Sequence, residues 1–274
     1  MLDDNLEDFE TREITFDAIS RRVHVGGQGP AVIVMPEMPG LSPQVIRFGR
    51  WVRDAGFSVW MPSLFGADGA EGTADAGARV FKRACVAAEF RALAGQGSSP
   101  ITSWLRALAK LAHRECGGPG AGAVGMCFTG NFALSMMLEP SMLAPVLCQP
   151  ALPLDDPEAV ESPPDELAQI RDRLHKEDLS VLAWRFAGDP FCRAGRFAAY
   201  EVALGAHFDG RVLPDTAANP DPPPFFREHV PAPHSVMTAH LIDQEGELTQ
   251  SAVEETIAFL KRRLKPKAMG RGGD

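Results

Sequence analysis

The sequence predicts an α/β fold: a doubly wound, mostly parallel sheet flanked by helices, with an antiparallel edge at the N-terminus. Three observations carry that expectation. Short, mainly apolar runs at Ala31–Met35, Ala121–Met126, Ala144–Cys148 and Leu179–Phe186 have the length and composition of strands buried on both faces. Segments of helical character stand between them, the order that builds parallel sheets with short crossovers. The first two strand segments, Glu13–Ala18 and Arg22–Val25, alternate instead and read as an antiparallel pair at one edge.

Taken in order, Ala31–Met35 leads into Pro36-Glu37-Met38-Pro39-Gly40, a loop of turn residues. Ser42-Pro43 then reads as an N-cap followed by proline at the first helical position. Val45, Phe48, Trp51 and Val52 give that helix its buried face, and Gly56 stops it. Phe57–Met61 is the next strand, 63–76 a surface loop, and Ala78–Leu93 and Ile101–Cys116 helices. Residues 150–164 form a proline-rich connection carrying Asp155, Asp156, Glu158 and Glu161, expected to be solvated surface rather than a metal site. Helices follow at Asp165–His175 and Arg196–Leu204. A loop with five prolines at 214–224 reads as a rim or lid. Phe225–Val230 is expected as the last strand and Thr249–Leu264 as the closing helix. The expected organisation is an acidic arm at 1–11, one domain over 12–264, and a disordered basic tail at 265–274.

The chain has 274 residues, enough for one large domain, and a net charge of −9, which argues against nucleic acid or an anionic membrane as partner. No apolar run reaches membrane-spanning length. The acidic start lacks the basic and apolar regions of a signal peptide. Five cysteines (Cys85, Cys116, Cys127, Cys148 and Cys192) include no Cys-x-x-Cys pair, so neither a disulfide framework nor a structural zinc site is expected. A reducing cytoplasm is the expected location.

Chemistry concentrates at Gly122–Leu134. A buried strand ends at Cys127, and helical character resumes within a few residues, so the bend lifts one side chain above the sheet edge. The following helix aims its N–H groups and dipole at that side chain, favouring thiolate over thiol. Read alone, Cys127 is equally a buried small hydrophobe. Ligands bind beyond the carboxyl ends of strands in such sheets, where Glu37, Cys127, Asp189 and His234 all fall. Cys127, Asp189 and His234 stand in nucleophile–acid–base order: histidine takes the thiol proton, and aspartate fixes the imidazole tautomer. Asp189 alone could equally cap a helical turn near Pro190. Of seven histidines, His24, His113, His175, His207 and His229 sit on an edge strand, on helices, in an irregular segment and within the expected last strand. His234 is the expected base, with His240 the alternative and otherwise a supporting residue.

Gly125-Met126-Cys127-Phe128-Thr129-Gly130, the Pro36-Glu37-Met38 loop, Asp189 after a glycine and a late histidine together resemble the dienelactone hydrolase family, over about residues 12–264. The resemblance implies an α/β-hydrolase fold and a cytosolic enzyme that cleaves an ester or enol lactone through a cysteine triad, without metal or organic cofactor. It also implies that Glu37 contacts the resting thiol and helps generate the thiolate, and that the backbone N–H groups of Met38 and Phe128 form the oxyanion hole. Without the resemblance, Glu37 reads as a solvated loop carboxylate. The spacing from His234 to Phe259-Leu260 of the closing helix also resembles the family's. Two departures stand out. Thr129 replaces the glycine usual two positions after the nucleophile. Thr238 stands where dienelactone hydrolases proper place an arginine that grips the substrate carboxylate. Arg79, Arg83 or Arg193 could substitute; otherwise a less acidic ester or lactone is expected. The expected partner is that small molecule, and the expected assembly a monomer or homodimer. Two rivals remain: a thiol redox protein with Cys192 as resolving thiol, and a non-catalytic binding module.

Overall fold

The computed structural model describes residues 3–86 and 99–265. Its sheet comprises β1 (Glu10–Phe16), β2 (Ile19–Gly27), β3 (Ala31–Val34), β4 (Ser58–Pro62), β5 (Ala121–Met126), β6 (Met142–Cys148), β7 (Val181–Phe186) and β8 (Phe208–Leu213). The spatial order is β1-β2-β4-β3-β5-β6-β7-β8. The β1–β2 and β2–β4 pairs are antiparallel, and every later pair is parallel. The helices are α1 (Pro43–Asp54), α2 (Ala74–Val86), α3 (Pro100–Cys116), α4 (Gly130–Ser135), α5 (Pro164–Lys176), α6 (Ala194–Leu204), α7 (Pro224–His229) and α8 (Leu248–Leu264).

All residues of β3, β4, β5 and β7 are buried because helices cover both faces of the sheet. The period of two along each strand divides the core. Val32, Val34, Val59, Met61, Val124 and Met126 pack with Val45 and Phe48 of α1 and Phe259 and Leu260 of α8. Ala31, Ile33, Trp60, Ala121 and Ala123 pack with Trp104 and Leu108 of α3, and the same cluster takes in Ile170 of α5 and Tyr200 of α6. Ser42 caps α1 by accepting the Val45 N–H at 3.3 Å, with Pro43 at the first helical position. Among the described residues no helix is long and apolar enough to cross a membrane.

Four sequence expectations change. The last strand is Phe208–Leu213, not Phe225–Val230. Only Phe208 and Leu213 of β8 are buried, since an edge strand paired on one side needs no continuous apolar run. Phe225 to His229 instead form α7: Pro223 and Pro224 preset the first helical dihedrals, and Phe225 and Phe226 bury one side. The surface loop after β4 ends sooner, because α2 starts at Ala74; the part of the expected helix at 87–93 lies outside the described residues. Finally, the acidic connection at 150–164 is not simply solvated. Burial pushes the Glu161 carboxyl up to about 7, and the buried Arg196 guanidinium donates to the carbonyls of Pro150, Pro153, Asp156 and Ala159 at 2.6–2.8 Å.

At the N-terminus, Arg50 of α1 donates to Asp4 and Asp8, and Arg53 to Asp8, while Leu6 and Phe9 are buried. The expected tail lies, from residue 266 on, outside the described residues.

Candidate active site

Parallel β3, β5 and β7 deliver Glu37, Cys127 and Asp189 to one edge of the sheet, each just past its strand. β5 stops at Met126, and Cys127 takes φ +53°, a left-handed conformation that a side chain adopts only when its surroundings enforce it. Gly125 makes room for the bend: a Cβ there would lie 2.2 Å from the Thr129 carbonyl oxygen. Gly130 is needed for the next layer, since its Cβ would meet Pro150 Cα at 2.6 Å. A short 3-10 turn at Cys127–Thr129 runs straight into α4, so helical N–H groups follow the sulfur.

Thr129, the departure from glycine, is fully buried and its hydroxyl is used twice. Oγ1 accepts the Met126 N–H at 2.9 Å and lies 3.1 Å from the carbonyls of both Pro36 and Met126, to which it can donate. The Pro36 contact ties the bend that carries Cys127 to the loop that carries Glu37 and Met38.

His234 arrives differently from the sequence expectation, from the loop after α7 rather than from a strand end. Its Nδ1 lies 2.8 Å from Asp189 Oδ2, with both side chains buried. Asp189 Oδ1 accepts the N–H groups of Phe191 and Cys192 at 2.9 and 3.1 Å, which fixes the carboxylate plane. This is also the turn-capping role that the sequence offered for Asp189, and the same carboxylate binds the His234 ring through its other oxygen. The His234 Nε2 is buried with no hydrogen-bond partner among the described residues, and the ring shares a cavity with Cys127. Burial by itself would push this imidazole down, but Asp189 and the Cys127 sulfur together outweigh it and hold its pKa well above the ordinary value.

Glu37 is buried, not solvated, and its hydrogen bonds go elsewhere than the thiol. Ser235 Oγ donates to it at 2.5 Å, Thr238 Oγ1 donates to its other oxygen, and Gln149 Nε2 lies at 3.3 Å. Among the described residues no hydrogen bond joins Glu37 to Cys127, unlike the contact implied by the resemblance. Burial raises the Glu37 pKa, opposed by the Ser235 and Thr238 hydroxyls and by His234. Glu37 therefore anchors the 235–238 loop directly behind His234. Gln149 reinforces the anchor by accepting the Val236 N–H at 3.3 Å. Sequence reading missed Gln149, Ser235 and Arg196, because no motif marks a side chain whose partners are loop backbone or a distant carboxylate.

His240 is brought close to His234 without sharing its contacts. Its Nδ1 accepts the Ser235 N–H at 3.1 Å and the His234 N–H at 3.4 Å. Burial, with His234 nearby, lowers its pKa to about 3. The sign of the linkage is plain: the unfolded chain takes a proton near 6.5 that folded His240 refuses until about 3, so this residue removes stability as pH falls through that window. His240→Asn keeps an acceptor at the Nδ1 position without a titrating group. Its unfolding free energy, measured in urea between pH 6.5 and 4, is expected to fall less steeply than that of the parent, by up to about 1.4 kcal/mol per pH unit. Equal slopes would exclude this account.

The Cys127 side chain opens into a cavity of about 330 Å³, walled by Met38, Phe81, Leu154, Phe191, Phe225 and Val230 among others. Arg79, Arg83 and Arg193 do not line it. Cys192 is buried near Asp189, and burial drives its thiol far up, which deprives a resolving thiol of its thiolate. Among the described residues no group of three His, Cys, Asp or Glu side chains could hold a metal ion.

Against known proteins, the profile of the dienelactone hydrolase family matches residues 17–163, just over half the chain. No curated protein sequence matches. Among solved structures the chain is similar to m3DLH, at 18% identity and TM-score 0.60, covering 94% of this chain and 99% of that one. It is similar to a dienelactone hydrolase from Anabaena variabilis, at 12% identity and TM-score 0.57, covering 94% and 100%. A dienelactone hydrolase-like promiscuous phosphotriesterase from metagenomic libraries aligns at 17% identity and TM-score 0.56, covering 92% and 97%. At such identities the likeness is one of fold, the α/β-hydrolase fold.

Proposed function

The chain belongs to the dienelactone hydrolase family and is an ester hydrolase, and from that premise we propose that Cys127, His234 and Asp189 act as a triad that cleaves a carboxylic ester or lactone through an acyl-cysteine. The single observation that supports this most is His234, bonded to Asp189 through Nδ1 at 2.8 Å and lining the same cavity as Cys127.

In this reading the Cys127 thiolate attacks the carbonyl carbon, and the C=O electron pair moves onto oxygen. The Met38 and Phe128 N–H groups receive that oxyanion. As the C–O bond to the alcohol breaks, His234 Nε2–H protonates the leaving oxygen. A water then gives its proton to Nε2 and attacks the thioester, and the C–S bond breaks to return thiolate and release the acid. Asp189 keeps the proton on Nδ1 throughout and stabilises imidazolium. Glu37 acts by holding the loop behind His234 rather than by touching sulfur. No step calls for a metal or organic cofactor. We place the protein in the cytoplasm, in keeping with its five free cysteines.

Acid quenching during turnover of p-nitrophenyl acetate, followed by mass spectrometry of the intact protein and its peptides, is expected to show one acetyl group on Cys127. An adduct on another residue, or turnover with none, would overturn the reading.

A further inference from the structure

The cavity over Cys127 is apolar almost throughout. Phe81 from α2, Phe225 and Phe226 from α7, Phe191 after β7, and Leu154 from the connection after β6 surround the sulfur. Phe225 and Phe226 meet edge to face at 5.2 Å, and Phe191 meets the His234 ring at 5.3 Å. Apart from Cys127 and His234, the one ionisable side chain among the described residues of the lining is His229, exposed and tilted against Phe225 with ring centroids 5.5 Å apart. Among the described residues no lysine or arginine lines the cavity. Thr238 stands behind the His234 loop, bonded to Glu37, and does not line the cavity. A carboxylate carried into this space would lose its hydration and meet no lysine or arginine among the described residues; the His234 imidazolium is already paired with Asp189, and the thiolate would repel the newcomer. The volume, about 330 Å³, is at the small end for ligand pockets.

We propose that this site takes a compact, uncharged, apolar ester and rejects one that carries a carboxylate on its buried end. The inference rests on the hydrolase reading above and adds the substrate class. Leu154 is the position from which specificity can be reversed: it lines the cavity, is only partly buried, and takes no part in the chemistry.

The test uses p-nitrophenyl benzoate and its para-carbamoyl and para-carboxylate derivatives, each rate divided by that ester's rate with hydroxide. The carbamoyl compound matches the carboxylate in size without its charge. The expected result is a kcat/KM at least fiftyfold higher for carbamoyl than for carboxylate. In Leu154→Arg that ratio is expected to narrow at least tenfold, with the carboxylate ester gaining in absolute rate. Carbamoyl and carboxylate esters turned over within threefold of each other by the parent protein would overturn the substrate class while leaving the hydrolase reading intact. Failure of all three esters to acylate Cys127 would overturn both.

Discussion

Cys127→Ala is expected to lower kcat/KM for p-nitrophenyl acetate by at least about four orders of magnitude while leaving the fold in place. The size follows from how nucleophile removal behaves where attack, proton transfer and oxyanion binding act as one unit: the residue left behind has only the donors and the cavity to offer. Folding should barely notice. Alanine keeps a Cβ at the same φ of +53°, so the backbone strain at this residue is common to both proteins, and the sulfur removed sits at the cavity wall rather than deep in the core. A change in unfolding free energy within about 1 kcal/mol is expected by urea titration. Turnover near the parent level would dismiss the thiol from the reaction. A large loss of stability alongside the loss of rate would mean that the substitution tested folding instead.

Asp189→Asn should come close behind, with kcat reduced on the order of 10⁴-fold and KM little changed. The amide preserves shape: its oxygen can still accept from the Phe191 and Cys192 N–H groups. Its NH₂ then faces His234 Nδ1 and donates, which leaves that nitrogen without a proton and places the proton on Nε2, beside the sulfur. Neutral imidazole in that tautomer cannot receive the thiol proton. Imidazolium also loses the carboxylate that holds its pKa up. The kcat–pH profile of the residual activity should therefore differ from that of the parent, since an Asp189-stabilised imidazolium no longer sets it. A variant whose kcat–pH profile overlays that of the parent would remove Asp189 from the proton pathway.

Much of this arrangement was legible in the chain, for identifiable reasons. Apolar runs such as Ala121–Met126 declare buried parallel strands because nothing else tolerates so little polarity. Gly125, Gly130 and the intervening Cys127 mark a bend whose steric demands are local. Ser42-Pro43 marked a helix start on the strength of one hydroxyl and one ring. What stayed hidden depended on distant partners. Phe208–Leu213 carries Asp209, Gly210 and Arg211 in a strand, and only its place at the sheet edge makes that possible. Phe225–Val230 has strand-like content, yet the preceding prolines and packing against α2 decide for a helix. Glu37 could not be read as buried, since its three partners lie more than a hundred positions away. Sequence spacing favoured His234 with His240 as the alternative; their separate surroundings, a carboxylate for one and backbone amides for the other, exist only once the loop is folded.

Thr129 has one further consequence. Its hydroxyl lies within bonding reach of Pro36, so the proposed nucleophile and the proposed oxyanion donor Met38 are mounted on a common brace. Loosening that brace would not merely blunt one component; it would let the sulfur and the Met38 amide drift relative to each other, and a misalignment of about 1 Å is enough to lose roughly a hundredfold in rate. In this chain, then, a position otherwise valued for lacking a side chain has become a crosspiece, and the geometry of attack inherits the rigidity of two neighbouring strands at once.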